Sequence, residues 1–478
     1  MGKASGFTRR DFMESAAAMG ALSLLPLGGC ATASRSAERA PAQDEVVIRN
    51  AFVMTMDPAR GDLADADVHV RDGQIVAVGR ALPASGATAI DGRGMIVLPG
   101  LIETHWHMWN SLMRSMSADE AKYGYFPTAR SLGIAYTAQD MYQGTRLAAA
   151  EAIHSGITFV HDWCHNIRSP EYAEQDLRAL REAGIRARFS YGQAQGQSND
   201  EPLNAADIER LQKNWRDYSN GGLISLGLAW RGVSTGGTGT VSAAAYSRDF
   251  NEARRLGIPI SVHVNTSKAN AGTILRLAKE GFLVRDMQLI HSTLVMPEEL
   301  RLLAESGASV SVSPYTEMRI GFGLPPTGEF LSARIPLGLS VDTTALSGNA
   351  DMFAIMKAIQ NVENGRANNE FKITARRVLE LATIEGARSM GVDKQVGSLV
   401  PGKRADLIML NTREVNLGVF TDPAHMIVEA AQPANVDTVM VDGRVLKRHG
   451  KLTALDTARM MDEAQDALQS LRKRANWW

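Results

Sequence analysis

The chain has 478 residues, 45% of them hydrophobic and 22% charged, enough for one large soluble domain with a smaller one attached. A formal net charge of −1 gives no basic field to recruit nucleic acid. Past the N-terminal segment, no apolar run approaches the roughly 20 residues needed to span a bilayer.

In chain order, residues 1–33 read as a targeting segment. Thr8-Arg9-Arg10-Asp11-Phe12-Met13 resembles a twin-arginine export signal and precedes the small, apolar stretch Ala16–Leu27. Leu27-Gly28-Gly29-Cys30 resembles a lipobox, which would leave Cys30 lipid-bearing and give the chain its one membrane attachment. Ala31-Thr32-Ala33 is an A-x-A site, whose cleavage would instead give a soluble periplasmic form. Either reading places the protein outside the cytoplasm and removes or acylates Cys30. Of the 2 cysteines only Cys164 is then left, so no disulfide forms within the mature chain. Twin-arginine signals accompany proteins that fold before export, which suits a metal loaded in the cytoplasm. Residues 34–44 are a polar, proline-bearing linker.

From 45 to 97, short β-type runs are separated by turn signals, with Asp72-Gly73 marking a hairpin. Matching β-type sequence returns over 391–453, with Asp442-Gly443, so the two stretches are expected to build one composite β-sandwich. Between them, 98–390 alternates apolar runs with amphipathic helical stretches, the pattern of a parallel βα array. Eight strands count out: 95–105, 156–163, 184–192, 223–232, 258–264, 287–292, 308–314 and 337–342. The expected fold is an α/β protein, a (β/α)8 TIM barrel flanked by that sandwich, with a terminal amphipathic helix over 454–478.

Barrels of this kind keep their chemistry at the C-terminal ends of the strands. His105 and His107 stand two apart at the end of strand one and so share a face. His263 closes strand five, His291 strand six and Asp342 strand eight. Neutral imidazoles and a carboxylate are ligands for a catalytic divalent ion, which lowers the pKa of a coordinated water from about 15.7 toward about 7. Zinc is the first expectation; iron and manganese suit the same donors.

PGLIETHWH, HVNT, LIHSTLVMPEEL and GLSVDTTALSGNADMF resemble the strand-one, -five, -six and -eight motifs of the amidohydrolase superfamily. The nearest branch is that of triazine hydrolases, chlorohydrolases and adenosine- or guanine-type deaminases. GSLVPGKRADLIML and VDGRVL are similar to that branch's flanking sandwich, and the resemblance runs from about 45 to 453. It implies one divalent metal held by His105, His107, His263 and Asp342 and a small-molecule substrate; it leaves the homo-oligomeric state open, members often being dimers or larger. Asp342 would also move the proton of the attacking water, and His291 would contact that water or the substrate. Binuclear members carry a carboxylated lysine on strand four; ISLGLAWRG has none, so one ion is expected.

One departure bears on the reaction. Deaminases of this branch carry a glutamate three residues after the strand-five histidine, and here that residue is Thr266, whose hydroxyl cannot replace a carboxylate near pH 7. Hydrolysis of an amide, lactam, carbamate or urea needs only the metal, Asp342 and His291, and is the expected activity. Deamination of a heteroaromatic ring, with Glu317 as substitute acid, is the alternative. A lipid-anchored binding protein without turnover is a third reading, disfavoured because all four ligand positions are filled. The substrate is expected to meet Trp106, Trp109, His161, Thr266, Tyr315 and Glu317, with Met113, Tyr123, Tyr125 and Phe126 also brought near by the strand-one loop. His161, Asp162, Cys164 and His165 form a polar cluster suited to the substrate, to a second metal or to holding that loop. Ser347 and Asn349 are expected to help place Asp342, and Arg231 or Arg319 to grip a substrate carboxylate.

Overall fold

A computed structural model describes residues 45–233 and 240–477; the export motif, the lipobox with Cys30 and the linker lie outside the described residues. The first five strands are β1 (Val46–Met54), β2 (Asp62–Arg71), β3 (Gln74–Gly79), β4 (Thr88–Asp91) and β5 (Met95–Pro99). Asp72-Gly73 makes the tight turn between β2 and β3. The barrel follows, with β6 (Leu101–Trp106), β7 (Ile157–Cys164), β8 (Arg186–Tyr191) and β9 (Ile224–Trp230). Its second half is β10 (Ile260–Val264), β11 (Met287–His291), β12 (Ser309–Val312) and β13 (Leu337–Leu339). Near the C-terminus come β14 (Leu407–Asn411), β15 (Val436–Val441), β16 (Arg444–Arg448) and β17 (Lys451–Leu452).

The flanking domain is one nine-stranded mixed sheet of order β17-β16-β15-β14-β5-β1-β2-β3, with β4 on β1. β5 pairs antiparallel with β14 from Met95 opposite Asn411 to Pro99 opposite Leu407, so the two chain ends interleave. Ile48, Val68, Leu407 and Met440 share its apolar core, as a composite domain requires. The sheet runs to Pro99, two residues beyond the expected boundary. The break comes at Gly100, where a Cβ would lie 2.1 Å from the side chain of Thr158. Only glycine lets the chain pass so close to β7 as it enters the barrel.

The barrel strands pair in parallel from β6 to β13. Their runs are apolar almost throughout because helices cover the outer face while side chains fill the inner one. Closure comes at the site itself: Trp106 bridges Asp342, the Asp342 amide donates to the His105 carbonyl at 2.8 Å, and the His107 amide donates to the Asp342 carbonyl at 2.7 Å. Principal outer helices are α1 (Ala138–His154), α2 (Pro170–Ala183), α3 (Ala243–Leu256), α4 (Pro297–Ser306), α5 (Met352–Ala367) and, at the C-terminus, α6 (Thr457–Arg474). Thr137 and Asp140 cap α1 reciprocally, and Pro170 opens α2, which Gly184 ends at φ 72°. Arg186 on β8 ties barrel to sheet by a bidentate pair with Asp406 at 2.6 and 2.9 Å, and reaches Asp442 at 3.3 Å. No helix among the described residues is long and apolar enough to cross a membrane.

Candidate metal centre and active site

Strand ends from opposite sides of the barrel bring four side chains together. His105 Nε2 lies 3.2 Å from His263 Nε2 and 3.1 Å from Asp342 Oδ1, and His107 Nε2 lies 3.2 Å from the same oxygen. A tetrahedral ion with bonds of about 2.0–2.1 Å has ligand–ligand edges of about 3.3 Å, so this spacing fits one divalent cation. Burial lowers the His105 imidazole to about 3 and holds His263 well below its usual range, the neutral state a ligand needs. Burial opposes ionisation of Asp342. Hydrogen bonds from His105 and His107 and the charge of His291 nevertheless hold its carboxyl well below the usual range.

His291 stands beside this set. Its Nε2 is 3.9 Å from Asp342 Oδ2, and its Nδ1 donates to Glu317 Oε1 at 3.1 Å. Burial alone would depress His291, but the hydrogen bond to Glu317 and the charge of Asp342 raise it. Four residues here adopt left-handed backbone: Asn265 (φ 50°), His291 (70°), Ser292 (52°) and Asp342 (61°). Each such non-glycine conformation costs of order 1–3 kcal/mol and persists only where its surroundings enforce it. The Asn265 side chain donates to Glu299 at 2.7 Å, and the closing backbone bonds hold Asp342.

Above the centre opens a cavity of about 850 Å³, with His107, Trp163, His165, His263, Thr266, His291 and Asp342 at its floor. Tyr125, Phe126, Arg130, Phe322 and the amide-rich segment from Gln193 to Asn199 form its walls and rim. Of the residues expected to meet substrate, Thr266 lines this space, its Oγ1 accepting from Asn270 at 3.1 Å. Trp106 does not: strand alternation turns it away from the His105 face into the core. Trp109 stands behind the wall, donating from Nε1 to His165 Nδ1 at 3.2 Å. His161 lies within the barrel, its ring nitrogens on the Thr104 carbonyl and Ser190 Oγ, each at 2.8 Å. Tyr315 is on the outer surface, 38% exposed. Glu317 is fully buried and touches His291 rather than the cavity, so it cannot meet a substrate directly.

Other expected roles change as well. Arg231 lines the cavity, but its guanidinium holds the Ser198 and Glu201 carbonyls. Arg319 pairs with Asp119 at the surface, 3.4 Å away. Ser347 bonds the Thr343 and Asn349 carbonyls, leaving Asp342 to be placed by strand-one backbone. Sequence reasoning misses Glu103, whose carboxylate accepts from the amides of His105 (2.9 Å), Val341 (3.1 Å) and His161 (3.3 Å). Burial pushes it up to about 8 against the pull of those three amides. Trp163 is missed too, its ring 4.4 Å from that of His263, although alternation from His161 points to it.

The profile of the amidohydrolase family matches residues 96–446, with both barrel and metal centre inside the match. The chain belongs to the amidohydrolase family. Membership makes it an enzyme, a hydrolase of carbon–nitrogen bonds other than peptide bonds. This amidohydrolase is 28% identical over 449 residues to a 5'-deoxyadenosine deaminase of Methanosarcina barkeri, covering 90% of this chain and 99% of the relative. It is 28% identical over 409 residues to a 5-methylthioadenosine/S-adenosylhomocysteine deaminase of Moorella thermoacetica, covering 81% and 91%. In fold it resembles a zinc-bound adenosine deaminase from Xanthomonas campestris (TM-score 0.81, 24% identity, 91% of this chain and 100% of that one). A zinc complex of an atrazine chlorohydrolase from Arthrobacter aurescens gives a TM-score of 0.77 at 22% identity, covering 88% and 100%.

Proposed function

We propose that this amidohydrolase is a zinc-dependent deaminase of an amino-substituted nitrogen heteroaromatic of the adenosine type, replacing the exocyclic amine with oxygen and releasing ammonia. The observation that carries the proposal is likeness over 99% of the length of a 5'-deoxyadenosine deaminase. The ligand cluster and cavity are consistent with it. Amide-type hydrolysis, favoured by Thr266 alone, is the second reading.

A divalent ion at the His105, His107, His263 and Asp342 cluster supplies Lewis acidity, lowering the pKa of water there toward about 7. Asp342 Oδ1 faces the imidazoles, which leaves Oδ2 on the His291 side to take a proton from the attacking water. Asp342 is the sole carboxylate among the described residues lining the cavity, so it also returns that proton to the ring or the departing amine. His291, with Nδ1 bound to Glu317, presents Nε2 to the oxygen that attacks and steadies the charge that develops there. Trp163 and Phe322 offer apolar faces to a planar ring, Thr266 offers a hydroxyl to its edge, and the amides from Gln193 to Asn199 suit a polar substituent.

Export belongs to the same proposal and rests on Arg9-Arg10 and the Cys30 lipobox alone. The deciding assay is ammonia release from adenosine, 5'-deoxyadenosine and aminotriazines, run beside carboxylate release from aromatic amides and carbamates. Ammonia is expected. Turnover of the amide panel with no ammonia from any ring would overturn the deaminase reading. Fractionation of the producing cell tests the location.

A further inference from the structure

β7 carries ligating side chains on both faces. His161, Trp163 and His165 point into the barrel, so alternation turns Asp162 and Cys164 outward, toward α1 and α2. There they meet Asp176 of α2 and Thr145 of α1. Thr145 Oγ1 donates to Asp176 Oδ2 at 2.7 Å, and the Cys164 thiol lies 3.3 Å from the same oxygen. One donor atom from each of Asp162, Cys164 and Asp176 lies within 4.8 Å of the others, and all three residues are fully buried.

Both oxygens of Asp162 and Oδ1 of Asp176 make no well-formed hydrogen bond, and burial together with the facing carboxyl holds Asp162 above the usual carboxylate range, as burial does Asp176. No lysine or arginine among the described residues pairs with either aspartate, whereas Asp406 and Asp442, also buried, take Arg186. Two adjacent carboxyls buried without a counter-ion must either hold a proton between them or take a cation. A thiolate with carboxylate oxygens in a fully buried cluster is a donor set for structural zinc, and edges of about 3.3–3.7 Å are reached by a modest contraction.

We propose that Asp162, Cys164 and Asp176 bind a second, structural zinc ion, with the Thr145 hydroxyl as the fourth donor. Binding breaks the Cys164 S–H bond and forms a sulfur–zinc bond; the thiol proton, and any proton shared by the two aspartates, leave to solvent. The ion would lock β7 against α1 and α2, and with it the cavity residues Trp163 and His165.

The test uses the full chain carrying Cys30→Ser, produced with zinc in the medium. Elemental analysis should return two equivalents of zinc per chain. Cys164→Ser and Asp176→Asn should each return one. Exchange of zinc for cobalt should give a near-ultraviolet thiolate-to-cobalt charge-transfer band, because the His–Asp centre has no sulfur, and Cys164→Ser should abolish it. One equivalent and no such band in the active, otherwise unaltered chain would overturn the proposal and leave the aspartates sharing a proton. Those two measurements need neither variant, so they decide between one ion and two even where a variant fails to fold.

Discussion

Two regions bury carboxylates and compensate them by opposite means. Between barrel and flanking sheet, Asp406 and Asp442 are met by Arg186, Arg404 and Arg444, whose charges do not titrate near neutrality. At the mouth of the barrel, Asp342 is met by His105 and His107, with His291 3.9 Å away. Guanidinium partners finish the electrostatics and fix geometry. Imidazole partners leave it unfinished, open to a cation and to proton movement. The first arrangement is built to stay closed and the second to react.

Mutations can break this contrast. The largest effect is expected at Asp342→Asn, which keeps the shape but removes the proton acceptor: turnover should fall at least about a thousandfold, with thermal unfolding little changed. Steady-state kinetics beside calorimetry checks both halves, and a comparable loss of stability would reassign Asp342 to structure. Next comes Arg186→Met, which strands Asp406 without its charge partner. It should cost about 3–5 kcal/mol in denaturant unfolding while metal content per folded chain holds. Glu317→Gln should lower kcat about 10–100-fold with KM unchanged, because His291 keeps its place but loses a charged acceptor. A change confined to KM would put Glu317 at the substrate after all. The smallest effect is expected from Trp109→Phe, which deletes the Nε1–His165 hydrogen bond and should cost about 1 kcal/mol of stability with kcat near normal.

The amino-acid sequence by itself determined the period of each strand, the hairpin at Asp72-Gly73, the two half-sheets and the places of His105, His107, His263 and Asp342 at strand ends. These are local signals, read within a few residues or from a strand's end. Tertiary structure decided which of the other polar and aromatic side chains reach the cavity. Trp106 is excluded because it is one residue out of phase with His105. His161 is absorbed by Thr104 and Ser190, and Glu317 is withdrawn behind His291. Glu103 shows why such placements escape a linear reading: its carboxylate clamps Val341, 238 residues away, and nothing in the flanking residues marks that partner. Closing the barrel brings the first and last strands together, and only then do His105 and Asp342, 237 residues apart, come within 3.1 Å.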